Sequence, residues 1–157
     1  MAMTMKTEGV EQLSEMLSSL GERAEEVAAR SLYKGAGVMA NAYTNAVNRI
    51  ATSKRHPDKK EKRYATDEEK AALQGKIGIA KFDMNGTEVG TAVGVSGGYV
   101  TIGGKQKAVR MLANAINSGT SFMHKQPVFR RAATQTRQAA SEAIVAEAEK
   151  QINEITK

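Results

Sequence analysis

The sequence contains no cysteine, so disulfide bridges and thiolate metal sites are excluded before any other feature is considered. Tryptophan is also absent, and four tyrosines with three phenylalanines are the whole aromatic supply of a 157-residue chain. Much of the 41 % apolar fraction is alanine. Burial contributes only about 25 cal/mol per Å² and alanine offers little area, so the core must be thin and self-association would compensate for it. No run of about 18 apolar residues exists, which excludes a membrane-spanning helix by composition. Met1 to Glu8 lacks the hydrophobic stretch that a secretory signal requires. Histidine occurs only at positions 56 and 124, and proline only at 57 and 127.

What the chain does have is length for one domain and a local excess of positive charge. Domains of about 100 to 150 residues bury roughly two thirds of their unfolded surface, and residues 1–157 are expected to form a single such unit. The formal charge is +6. Within Lys54 to Arg63, six basic residues stand against Asp58 and Glu61, leaving four positive charges in ten positions.

Helical spacing dominates the first third. Val10, Leu13, Met16, Leu17 and Leu20 form one stripe, and Ala24, Val27, Ala28, Leu32, Ala36, Met39, Ala42, Ala46 and Ile50 form a second. Gly21 lies between them and Glu22, Glu25 and Glu26 follow, a pattern that suits a helix end and the acidic first turn of the next helix. Two helices are therefore expected, over 9–20 and 22–51. The second would be about 45 Å long, more than a small domain needs, so part of it is expected to contact another subunit. Gly35 and Gly37 lie inside it, each costing up to about 1 kcal/mol of helix propensity, and close backbone packing or a bend would account for them.

Residues 52–65 have no apolar period, contain Pro57 and carry the charge run, which predicts an exposed basic loop. Thr66 with Glu69 forms a T-x-x-E capping box opening a short helix to Leu73. The period then changes to two. Ile77 to Phe82 and Val89 to Val95 alternate around a turn at Asp83 to Gly86, and Tyr99 to Ile102 follows Gly97-Gly98 as a third strand ended by Gly103-Gly104. Helical spacing returns over 108–117 and stops at Ser118-Gly119. Pro127 suits the first turn of a last helix reaching Ile155, with Val128, Ala132, Thr136, Ala139, Ala143, Ala146, Ile152 and Ile155 as its core stripe. The expected fold is α+β, with long N-terminal helices, a small central antiparallel sheet and a C-terminal helix packed on that sheet.

Catalytic chemistry finds little purchase. His56 and His124 have no second ligand at a metal-binding spacing. Gly103-Gly104-Lys105-Gln106-Lys107 is only a distant echo of a phosphate loop, and turn glycines explain it better. Glu22, Glu25, Glu26, Glu142, Glu147 and Glu149 sit among Arg and Lys at helical spacings, as on a solvated face. No catalytic, metal or cofactor residues are therefore assigned. Lys54, Arg55, Lys59, Lys60, Lys62 and Arg63 are candidate contacts for DNA or for a protein partner. Phosphate neutralisation would supply the affinity, but the only aromatic nearby is Tyr64, so base stacking is poorly served.

The stretch Asn117 to Ala133, NSGTSFMHKQPVFRRAA, resembles the siphophage tail-component family, the head-to-tail joining or tail-completion proteins of tailed bacteriophages. In that family a glycine-threonine step, a few residues and a proline-aromatic pair introduce a carboxy-terminal helix. Gly119, Thr120, Ser121, Gln126, Pro127, Phe129, Arg130 and Ala132 occupy those places here, with Val128 inserted between proline and aromatic. The opening Gly9-Val10-Glu11-Gln12-Leu13 before a long alanine-rich helix is also similar, whereas the family's alanine-proline segment after that helix is replaced by the basic loop.

The resemblance implies a non-enzymatic virion protein, assembled in the host cytoplasm. It would form a homo-oligomeric ring, sixfold or with twelvefold as the rival symmetry, in the connector or neck. It would lie between a head-closure or adaptor protein and a tail terminator or tail tube protein, with genomic DNA passing non-specifically through the lumen and no membrane contact. Gly119, Thr120, Pro127, Phe129 and Arg130 are then the expected helix-start motif and interface. The alternative from the residues alone is a small basic DNA-binding protein acting through the 54–63 charge run.

Overall fold

The computed structural model describes residues 8–54, 61–85 and 88–157. The chain folds as α+β, with one long helix at each end of the sequence and short hairpins between them.

Helix α1 spans Glu8–Asn48 without a break at Gly21. The two helices expected over 9–20 and 22–51 are thus one. A single glycine costs about 1 kcal/mol, which strong helix formers on both sides offset, and nothing lies within 4 Å of the position a Gly21 side chain would occupy. Glu26 belongs to the helix interior and pairs with Arg30 one turn on. Of the second expected stripe Val27, Ala36, Ala46 and Ile50 are buried and Ala24 is exposed, while Val47, outside the stripe, is buried as well.

Helix α2, Asp67–Leu73, opens on the expected capping box, with the Glu69 N–H donating to Thr66 Oγ1 at 3.2 Å and the Thr66 N–H donating to Glu69 Oε2 at 3.0 Å. Strands β1 (Ile77–Ile79), β2 (Asp83–Asn85), β3 (Glu88–Gly90) and β4 (Val93–Val95) follow. They form one antiparallel hairpin in two ladders, β1 with β4 and β2 with β3. The hairpin is interrupted where the Ala80 N–H donates to the Ala92 carbonyl and Thr91 Oγ1 donates to the Ala80 carbonyl. Asp83–Asn85 is strand rather than part of the expected turn.

Strand β5 (Tyr99–Ile102) does not join this hairpin as a third strand; it pairs with β6 (Lys105–Ala108). Gly103 and Gly104 have φ of +58° and +75°, so instead of ending the strand they form the two-residue turn that both positive angles allow. The sequence KQKA has neither β-branched residues nor alternation, which is why β6 is invisible in it.

Helix α3, Val109–Ser118, buries Val109, Leu112, Ala113 and Ile116. Helix α4, Val128–Ile155, packs along α1 and not, as expected, on the sheet. The two helices are antiparallel. Phe129 lies beside Tyr43, Ala140 and Ile144 beside Gly35, and Gln151 and Ile155 beside Arg23 and Val27. A side chain on Gly35 would fall 2.5 Å from Ile144 Cγ1 and 3.0 Å from the Ala140 carbonyl oxygen, so close packing accounts for this glycine; Gly37 has nothing within 4 Å. The buried face of α4 is Ala132, Ala140 and Gln151, with Ala139, Ala146 and Ile152 outward. Of the expected stripe Ala132 is buried and Val128, Thr136, Ala143 and Ile155 are half-buried, but Ala139, Ala146 and Ile152 are not, because an alanine-rich helix has too little apolar contrast to fix its rotation.

The main core lies at one end. Val47 and Ile50 from α1, Ala65, Leu73 from α2, four residues of α3 and Met123 form one cluster. The hairpin of α1 and α4 extends away from it, held by isolated small contacts. Among the described residues no helix is long and apolar enough to cross a membrane.

Candidate functional site

Two constructions stand out where the helices, the basic loop and the 118–127 segment meet. The first is the start of α4. Gly119 ends α3 at φ +75°, its N–H donating to the Ala115 carbonyl at 2.9 Å, and any side chain there would press on the Lys125 backbone at 3.1 Å. Thr120 closes the next turn. Its hydroxyl accepts the Met123 N–H at 3.0 Å, and its own N–H donates to the Met123 carbonyl at 3.0 Å, which folds Met123 into the core.

Gln126 then fastens the segment to the end of α1. Its side-chain amide accepts the Ala51 N–H at 2.9 Å and donates to the Ala51 carbonyl at 3.0 Å, imitating a strand partner, while its backbone N–H donates to the Ile116 carbonyl at 2.8 Å. Pro127 is the N-cap at φ −75°, and the Arg131 N–H donates to its carbonyl at 3.0 Å. Phe129 meets the Tyr43 ring edge-on at 5.7 Å. Arg130 is exposed, with its N–H reaching Asn117 Oδ1 at 3.5 Å. Gly119, Thr120, Pro127 and Phe129 thus lie along one continuous joint, and Arg130 projects from it.

The second is an ion cluster around Glu69, a buried carboxylate. Arg63 forks onto it, Nη1 donating to Oε2 at 2.7 Å and Nη2 to Oε1 at 2.9 Å, and Lys107 Nζ donates to Oε1 at 2.9 Å. Burial disfavours the Glu69 charge. The Arg63 fork, the Thr66 N–H and Lys107 outweigh it and hold the carboxyl down to about 2. Arg63 is raised in turn, chiefly by its hydrogen bonds to Glu69.

Arg63 is therefore not free to meet a phosphate as the charge run suggests. Its backbone is occupied too, the N–H donating to Phe122 O at 3.0 Å and the carbonyl accepting the His124 N–H at 2.9 Å. At the other end of the loop the Ser53 N–H donates to the Ala65 carbonyl, and Ala65 is fully buried. The expected loop over 52–65 is thus tied to the body at both ends. Lys54 and Lys62 are exposed, and Arg55, His56, Lys59 and Lys60 lie outside the described residues. His124 stacks on Tyr64 at 4.8 Å.

Lys107 and the Gln126–Ala51 pairing carry no sequence signal, because their partners lie 38 and 75 residues away. The Thr66-x-x-Glu69 box was the one visible sign that Glu69 is fixed in place. Among the described residues no group of His, Asp and Glu is arranged to hold a metal ion. Comparisons of the chain with protein families, with curated proteins and with solved structures find no match.

Proposed function

We propose that this chain is a structural virion protein of a tailed bacteriophage, forming a homo-oligomeric ring in the head-to-tail connector or in the tail-completion complex. The observation that supports it most is the mismatch between the helical hairpin and its own core. The main cluster of buried side chains ends near Val47, yet α1 continues for about 60 Å in all and runs roughly 20 Å past the end of α4. Tyr33, Tyr99, Met111, Phe122 and Val145 are more than half exposed. An interface protein has use for such surfaces, and the part of the hairpin that extends beyond the core, with Tyr33 and Val145 on it, offers length for contacts between copies.

The joint built on Gly119, Thr120, Pro127 and Phe129 adds to this, since it stands at the residues that carry the resemblance to the tail-component family. On this reading the ring is sixfold, or else twelvefold. It is flanked by a head-closure or adaptor protein and a tail terminator or tail tube protein, and genomic DNA passes through its lumen. Native mass spectrometry of the protein alone and with neck partners tests it. A closed ring of six or twelve is expected, and only monomer in every mixture would overturn it.

A further inference from the structure

The charges of the helical hairpin are sorted by end. No carboxylate occurs between Glu26 and Asp58 or between Glu88 and Glu142. Because α1 and α4 are antiparallel, these two carboxylate-free stretches fall side by side near the core. There Arg49, just past the end of α1, and Arg130, Arg131 and Arg137 of α4 face no carboxylate on either helix. At the other end α1 brings Glu8, Glu11, Glu15, Glu22, Glu25 and Glu26, and α4 brings Glu147, Glu149 and Glu154. Arg23, Arg30, Lys150 and Lys157 offset four of these nine, and Glu22 lies about 40 Å along the helix from Arg49.

Within α4 this order opposes the helix's own dipole. Its first turn contains arginines and no acid, and its last turn contains Glu154 and no base, whereas a helix dipole favours anions at the first turn and cations at the last. Local helix stability therefore does not explain the arrangement. Charges from outside the chain would.

A receiving surface is present at the basic end. Arg49 and Arg131 border a groove of about 440 Å³ between α1 and α4, with Asn45 and Gln135 on its walls and Ala46 and Ala132 on its floor. Among the described residues neither arginine has a carboxylate partner. The groove is too small for a helix but takes carboxylate side chains, which guanidinium groups bind in forked geometry.

We propose that this groove receives the acidic end of the helical hairpin of a second copy of this chain, with Arg49 and Arg131 binding carboxylates of the neighbour's Glu22–Glu26 and Glu149–Glu154 stretches. The contact joins two different surfaces, so it repeats from copy to copy and closes when the rotation per copy divides the circle. It rests on the ring reading and names the contact that forms the ring.

Sedimentation velocity and native mass spectrometry at about 20 mM and about 500 mM salt test it, using Arg131→Glu and Glu149→Lys/Glu154→Lys. Each variant is expected to weaken assembly at least about 10-fold at low salt while melting no earlier than wild type, since each places charges that suit the α4 dipole. Mixing the two variants is expected to restore assembly, the reversed groove of one receiving the reversed end of the other. Wild-type rings unaffected by either variant, or variants that fail to complement, would overturn this contact and leave the ring reading standing. A wild-type chain that stays monomeric at low salt, alone and in every mixture with neck partners, would remove both. Loss of DNA retention in the arginine variant with assembly intact would make the groove a nucleic-acid surface instead.

Discussion

Arg63 and Glu69 form a two-bonded fork at 2.7 and 2.9 Å that locks the end of the basic loop onto the first turn of α2. The Arg63 side chain is 15 % exposed and that of Glu69 only 2 %. Removing the carboxylate therefore strands a largely buried guanidinium. Glu69→Gln is expected to cost about 3 kcal/mol, measured as a lower urea midpoint. Lys107→Ala should cost less than about 1 kcal/mol, because that side chain is 39 % exposed and its charge is already partly solvated.

The same carboxyl makes stability depend on acid. Its ordinary value is 4.5 and its folded value about 2, so the unfolded chain binds the proton more readily. The contribution is fully present above about pH 4.5 and disappears as pH falls through the folded value. It amounts to something on the order of 3 kcal/mol. Urea midpoints of wild type and Glu69→Gln should lie well apart at neutral pH and converge between pH 4.5 and 2. A gap that persists at the acid end would mean that the substitution acts through packing and not through charge.

Gly35 and Gly37 look alike in the sequence and are expected to respond oppositely to alanine. At Gly35 the added carbon meets the Ala140 carbonyl oxygen at 3.0 Å and Ile144 closer still, so α4 must move away. Overpacking of that kind costs about 1 to 3 kcal/mol. At Gly37 nothing is within 4 Å, and the substitution gains up to about 1 kcal/mol of helix propensity. Thermal melting of the two variants should bracket wild type.

That contrast marks the limit of what the sequence discloses here. The apolar stripe through Val27, Ala36, Ala46 and Ile50 is legible because valine and isoleucine stand out against charged neighbours, and the Thr66–Glu69 box because all its parts lie within four residues. The phase of α4 is not legible, since Ala139 and Ala140 are chemically identical and only the contact with Gly35 chooses between them. Strand β6 exists because the two-glycine turn folds Lys105–Ala108 back on Tyr99–Ile102, a long-range consequence for a segment with no strand character of its own. At the candidate site the positions of Gln126, Phe129 and Arg130 could be read from the chain, but their attachments to Ala51, Tyr43 and Asn117 could not.

Phe129 is the residue on which those attachments and the proposed assembly meet. It is half-buried, packs against the main core and meets Tyr43 edge-on, so Phe129→Ala is expected to cost about 2 to 3 kcal/mol. About 1 kcal/mol of that should reappear as coupling in a double-mutant cycle with Tyr43→Ala. Because Arg130 and Arg131 follow it directly, loosening the first turn of α4 also displaces the basic groove. Phe129→Ala should therefore reduce ring formation even under conditions where the monomer remains folded, and Phe129→Leu, which keeps most of the apolar volume, should restore much of the assembly. Ring formation unchanged in Phe129→Ala would confine the residue to internal packing and separate the start of α4 from the interface.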